Sequence, residues 1–284
     1  MIFLVQIILG ILVCAFGTSF IIDFIRNKSR VSKKAPGSLL GIGFVTNFFD
    51  TLGIGSFAPQ TALFKFFGLV EDRIIPGTLN VANTIPVVLQ AFIFLNVIKV
   101  EPLTLFSMVA SSSLGALLGA GVVSRLPVKK IQLGLGGALL FVALTLFLGL
   151  MNWYPQGGEA AGLAGWRLGL AILASFCLGS LHTIGIGFYA PCMALVYSLG
   201  MDPRVAFPIM MGSAAMLMPV ASMRFVRAQA QDRRASLAIT VAGIFGVLIA
   251  AVFVTSLPLR GLKWVVFAVL IYTSMTMFRS ASKS

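Results

Sequence analysis

Two stretches of this chain carry residue types that could hold an anion at membrane depth: TLGIGSFAP at 51–59 and TIGIGFYAP at 183–191. Their glycines permit positive φ and let a ligand come close to the backbone. Their prolines, Pro59 and Pro191, suit the first position of a following helix, where no backbone N–H is needed. A helix that starts there exposes unpaired N–H groups and the positive end of its dipole. Two such ends facing one cavity make an anion site that needs no buried cation. The residues expected to form it are Thr51, Gly53, Gly55 and Pro59 in the first stretch, and Thr183, Gly185, Gly187 and Pro191 in the second. Glycines inside membranes also serve close helix packing, but two copies at equivalent places, each followed by a proline, favour a site.

Polar side chains around the two breaks can supplement the backbone donors. The first half offers Asn47, Ser56, Gln60, Asn80 and Asn83; the second offers Tyr189, Cys192 and Ser213. Gln60 and Cys192 fall at equivalent positions just after the prolines. Uncharged donors of this kind also act as packing glue between spans. Ionisable groups inside a membrane are costly and usually functional. Asp50 directly precedes the first break, and its counterpart is His182, the only histidine. Either could couple substrate movement to protons; the alternative is that Asp50 bonds local backbone N–H groups and His182 ends a helix. Lys65 is expected to snorkel from its half-helix toward the interface.

The rest of the chain must position these groups within lipid. Of its 284 residues 58% are hydrophobic and only 10% charged, with a mean hydropathy of +1.01. A soluble domain carries about 25% charged residues, so a soluble fold is excluded. The net charge of +13 sits in short clusters between apolar runs, which are topology signals and not a nucleic-acid surface. The cysteines Cys14, Cys177 and Cys192 lie in apolar stretches, so neither a disulfide framework nor a metal site is expected. No cofactor is expected.

A crossing helix needs about 20 apolar residues. Full spans are expected at 2–24, 76–98, 103–124, 131–151, 206–224, 235–257 and 262–279. The first lacks a charged leader, so it reads as a retained span with its N-terminus outside. The regions 38–69 and 166–200 are interrupted at their centres, which membranes tolerate only where backbone is buried in protein or lines a wet cavity. Re-entrant hairpins place more of the basic residues on one side than full crossings do, so hairpins are expected, with the C-terminus cytoplasmic.

Residues Thr51–Gly68 and Thr183–Gly200 align without a gap, with nine of 18 positions identical. The expected architecture is therefore an all-α polytopic membrane protein made of two repeats. Residues 1–37 supply an extra N-terminal helix and a basic loop, 38–151 the first repeat and 166–279 the second. Each repeat is a broken-helix hairpin plus three spans, and because three is odd the second repeat is inverted, the plan of many secondary transporters.

The duplicated G-I-G-x-[FY]-A-P pattern, at Gly53–Pro59 and Gly185–Pro191, resembles the TauE/SafE sulfite-exporter family of bacterial inner-membrane transporters, over essentially residues 38–279. That resemblance implies a small sulfur-containing anion, such as sulfite or the organosulfonate sulfoacetate, moved across the cytoplasmic membrane. The leading expectation is a secondary transporter working by alternating access. An anion channel using the same helix ends is the alternative, as is a carrier for another small organic anion. No Walker A pattern is present, and the few acids, one histidine and scattered cysteines give no base–nucleophile pair for an enzyme. The expected partners are the substrate anion and the lipid bilayer, not nucleic acid, and the oligomeric state is left open.

Overall fold

The computed structural model describes residues 2–27, 36–123, 126–153, 158–183, 188–253 and part of 264–282. Gly185 and Gly187, the basic run at 28–34 and much of the expected span 262–279 lie outside the described residues. Every regular element among the described residues is helical. The order is α1 (Ile2–Arg26), α2 (Pro36–Thr51), α3 (Phe57–Phe67), α4 (Ile75–Val97), α5 (Pro102–Val123), α6 (Val128–Leu150), α7 (Gly165–His182), α8 (Tyr189–Ser198), α9 (Ala206–Arg227) and α10 (Arg233–Phe253), with short 3-10 turns before α4 and α9.

Five of the described helical segments are long and apolar enough to cross a membrane: Phe3–Arg26, Asp72–Val97, Pro102–Gly119, Ala206–Arg227 and Arg233–Val252. Their solvent is legible in which side chains face out. Phe3 is 74% exposed and Val252 78%, whereas Asn47, Gln60, Asn83 and Gln90 are wholly buried. An apolar exterior around a polar interior is the arrangement lipid imposes. The chain is a multi-pass, all-helical membrane protein.

The 16 residues of α2 rise roughly 24 Å and the 11 of α3 roughly 16 Å at 1.5 Å per residue, too short to cross alone. α2 stops at Thr51 because Gly53 (φ 87°) and Gly55 (φ 89°) take left-handed backbone that ordinary residues resist. α3 then folds back beside α2, where Gln60 Nε2 donates to Thr46 Oγ1 at 2.8 Å. Its far end lies next to the start of α4, where Lys65 pairs with Asp72. Lys65 thus ends on a carboxylate in the turn between α3 and α4.

α7 and α8 make a second return. The strand-like pairing of Ala160 with Met201 holds the segment entering α7 against the segment leaving α8, and Gly158 N donates to Met201 O at 2.9 Å. The same entering segment reaches the far end of α4, with Glu101 N donating to Ala161 O at 2.8 Å. The two returns therefore open at opposite ends of α4.

Two long helices, α4 and α9, run antiparallel through the centre. Thr84 and Ser222 hydroxyls bond at 2.8 Å, and further along Phe94 stacks on Phe207 at 5.3 Å. Around them the pairing is crossed: α2 lies on α10 and α7 lies on α5. Both contacts are backbone-close. A Cβ added to Gly179 of α7 would sit 1.9 Å from Ser112 O of α5, and one added to Gly246 of α10 would sit 2.4 Å from Phe44 O of α2. Small residues are what allow helices to approach this closely in lipid.

At one end of the bundle Asp23 of α1 receives Arg233 Nε at 2.8 Å and Arg233 Nη2 at 3.0 Å. Both side chains are less than a tenth exposed. Asp23, near the end of the first span, thus finds its cation 210 positions away.

Candidate functional site

Both breaks open on one small cavity midway along α4 and α9. Gly55, Ser56 and Phe57 of the first break and Phe188 and Tyr189 of the second line it, with Val87 of α4 and Ala214 and Met218 of α9 behind them. Asp50, the last residue but one of α2, and His182, which ends α7, complete the wall. The space is about 10 Å³, close to the least that admits one water.

The helix starts fix which backbone donors can reach that space. Gln60 N donates to Ser56 O at 2.9 Å, the first bond of α3, so Phe57 and Ala58 carry the unpaired N–H groups. Cys192 N donates to Phe188 O at 3.1 Å, which makes Tyr189 and Ala190 the equivalents in α8. Pro59 and Pro191 were expected at the first helical position; each is third. The physical reason for their tolerance is unchanged, because the third N–H of a helix also lacks an intrahelical acceptor.

Asp50 sits 2% exposed in a ring of polar groups. Gln90 Nε2 donates to Asp50 Oδ2 at 2.8 Å and to Thr51 Oγ1 at 3.2 Å. Tyr189 Oη donates to Gln90 Oε1 at 2.7 Å, so the Gln90 amide joins Tyr189 to Asp50. Ser56 lines the cavity beside the same carboxyl. The His182 ring is stacked on Phe57 at 4.4 Å and meets the edge of Phe188 at 6.2 Å.

Not every expected residue reaches this cavity. Asn47, Gln60 and Asn83 instead bond one another below it, with Asn47 Nδ2 donating to Asn83 Oδ1 at 3.0 Å. Asn80 Nδ2 donates to Pro76 O, while its Oδ1, Asn47 Oδ1 and Ser213 Oγ find no partner among the described residues. Thr183 Oγ1 donates back to Ser180 O at 2.7 Å, and Cys192 is fully buried among apolar groups. Gly53 belongs to the contact between the two returns: an added Cβ would lie 2.6 Å from Met193 Cε of α8 and 3.3 Å from the Phe207 ring.

Gln90 is the functional candidate that sequence reasoning passed over. Its signal was a spacing of seven from Asn83, which puts both amides on one face of α4. The arrangement can hold a small group between two helix N-termini, next to one carboxyl and one imidazole.

No family model matches this chain, and no solved structure matches it. Among curated proteins, it is similar to the protein translocase subunit SecY of Methanocaldococcus jannaschii, with 25% identity over 205 residues. That similarity covers 68% of this chain and 42% of SecY, so the chain spans less than half the length of that relative.

Proposed function

We propose that this protein is a secondary transporter for a small anion, made of two inverted repeats that grip the substrate between the N-termini of α3 and α8. The observation that carries the reading is the convergence of both breaks on one cavity at the middle of α4 and α9. A helix N-terminus supplies oriented N–H donors and a positive potential, and it does so without a fixed cation that would hold an anion too tightly to release. The crossed pairs α2–α10 and α5–α7 supply two bodies of matching build that can rock about the α4–α9 contact.

Substrate class follows from the motif resemblance to the TauE/SafE family: sulfite or an organosulfonate such as sulfoacetate, across a bacterial inner membrane. The similarity to SecY, a translocase subunit, supports transport across a membrane as the general class. The cavity has room for about one water, less than any such anion needs, which fits a carrier with its site contracted better than an open channel.

The test is flux in proteoliposomes for sulfite, sulfoacetate and a carboxylate analogue. A carrier gives saturable uptake that accelerates when unlabelled substrate is loaded on the opposite side. Linear flux at single-channel rates would assign the same helix ends to a channel. No flux of any of the three anions sinks the anion reading.

A further inference from the structure

We propose that α5, α7 and α8 move as one body against a frame made of α2, α3, α4, α9 and α10, so that the second return alone opens the site. The two crossed pairs are matched in build but not in how they are held to the centre. On the α2–α10 side the attachment is polar and buried. Asn47 Nδ2 of α2 donates to Asn83 Oδ1 of α4 at 3.0 Å, and Thr240 Oγ1 of α10 donates to Ala82 O of α4 at 2.8 Å. α4 in turn meets α9 through the Thr84 and Ser222 hydroxyls at 2.8 Å. α3 joins the same group, since Gln60 Nε2 reaches Thr46 of α2 and Asn83 at 2.8 Å each. Moving any of these helices off α4 strands buried amides or hydroxyls, which is costly in a place without water.

The second half lacks the side chains for such an attachment. Carried along the ungapped repeat alignment, Asn47, Gln60 and Asn83 correspond to Gly179, Cys192 and Ala215. Cys192 and Ala215 are wholly buried in the apolar core. Where α5 lies on α9 the meeting is apolar too: a Cβ added to Gly212 would sit 3.7 Å from Val109 Cγ2. Parting such a face exchanges protein contact for lipid contact, and lipid tails are as apolar as the side chains they replace. Two polar contacts seen crossing from body to frame stand at its edges. Arg224 of α9 bonds Leu117 O of α5 at an exposed end. Tyr189 Oη of α8 donates to Gln90 Oε1 beside the cavity, and this bond is the one that the motion must break there.

Within itself the body is stitched together. Ser111 Oγ of α5 donates to Ile172 O of α7 at 2.7 Å, and Ser180 Oγ of α7 donates to Gly115 O of α5 at 2.9 Å. The segment entering α7 adds two more stitches: Leu163 N donates to Thr104 Oγ1 of α5 at 2.8 Å, and Gly158 N to Met201 O just beyond α8 at 2.9 Å. The two helix starts at the cavity therefore play different parts: that of α3 is held still, and that of α8 withdraws. The role of this motion in anion passage rests on the transporter reading above; the division into body and frame does not.

Two disulfides in the full-length chain, with its three native cysteines replaced by alanine, separate one moving body from two. Thr84→Cys with Ser222→Cys locks α4 to α9 inside the frame, and Val109→Cys with Gly212→Cys locks α5 to α9 across the boundary; both pairs lie within disulfide reach. With the boundary pair oxidised, sulfite counterflow in proteoliposomes falls at least about tenfold and returns on reduction, whereas the oxidised frame pair keeps it within about twofold of the cysteine-free parent. A frame disulfide that blocks flux as strongly as the boundary disulfide overturns the proposal, as does a boundary disulfide that leaves flux intact. Spin labels on exposed positions in nanodiscs read the same division without any substrate. Distances for Leu114→Cys with Leu173→Cys inside the body, and for Val45→Cys with Phe245→Cys inside the frame, are narrow. The distribution for Leu114→Cys with Phe245→Cys, across the boundary, is broader than either, and equal widths overturn the proposal. Absent anion flux in the wild type removes the transporter reading and leaves these distances to decide whether the body moves.

Discussion

Gln60 of α3 and Asn83 of α4 exchange two amide hydrogen bonds, Asn83 Nδ2 to Gln60 Oε1 at 2.7 Å and Gln60 Nε2 to Asn83 Oδ1 at 2.8 Å. Neither side chain has any exposed surface. The pair fixes the first half-helix against the central helix one turn away from the cavity. Truncating one member strands the other's amide in the interior.

Gln60→Leu is therefore expected to cost about 1–3 kcal/mol, the price of one unsatisfied buried amide. Asn83→Leu should cost a similar amount, and the double variant should recover part of the loss. Thermal unfolding in detergent measures all three. Strictly additive losses would show that the two amides act independently.

Asp23 and Arg233 form an enclosed ion pair that joins α1 to α10. Arg233→Met leaves a buried carboxylate without its cation, for a loss of about 3–5 kcal/mol. Replacing both partners, Asp23→Leu with Arg233→Met, is expected to be far milder. Chemical denaturation of the detergent-solubilised protein compares the two. A double variant as damaged as the single would mean that Asn27, which donates to Asp23 Oδ1, matters more than the cation.

Gly53 and Gly55 share positive φ but not their surroundings. Alanine at either position carries a backbone penalty of about 1–2 kcal/mol. At Gly53 the new methyl also meets Met193 Cε at 2.6 Å, whereas at Gly55 the nearest atom is Tyr189 Cβ at 4.0 Å. Gly53→Ala should depress flux more than Gly55→Ala, and adding Met193→Ala should return it to the Gly55→Ala level. Equal flux in the two single variants would count against a tight contact between the tips.

Glu101 offers a test outside the membrane. Its carboxylate accepts from Thr104 N at 2.6 Å and Leu103 N at 3.1 Å at the start of α5. Bonds from Thr104 hold its carboxyl below the ordinary range, with the Leu103 N–H adding to them. A depressed folded value means that its stabilisation is present above the unfolded value and lost as pH falls through the folded one. Acid-side melting curves should therefore steepen in the wild type and flatten in Glu101→Gln. Identical curves would show that the cap carries no stability.

Much of the architecture is legible from single residues. Apolar runs declare the crossing helices, and the glycines at 53 and 55 mark where α2 must stop, because their φ values are closed to other residues. The hydrogen-bonded cluster around Asp50 is not legible in the same way. Gln90 looks like a lone amide in an apolar run, and its partner Tyr189 lies 99 positions away. Asn80 and Ser213 were marked by type alone, and type does not say which way a side chain turns on a helix. Local pattern fixes where a helix begins and ends, while convergence on a cavity is decided by contacts between distant segments.

The crossed pairing has a consequence for how the chain is made. α2 is among the first helices to leave the ribosome, yet the surface it packs against, α10, is synthesised after every other helix named above. Until then Gly43 faces no Ile239 backbone, and the Asn47 amide is not covered by Gly243. The second return meets no such delay, since α5 is already in place when α7 emerges. Biogenesis is thus asymmetric even though the finished pairing is balanced, and a ribosome stalled before α10 releases a chain whose first half has no surface on which to close.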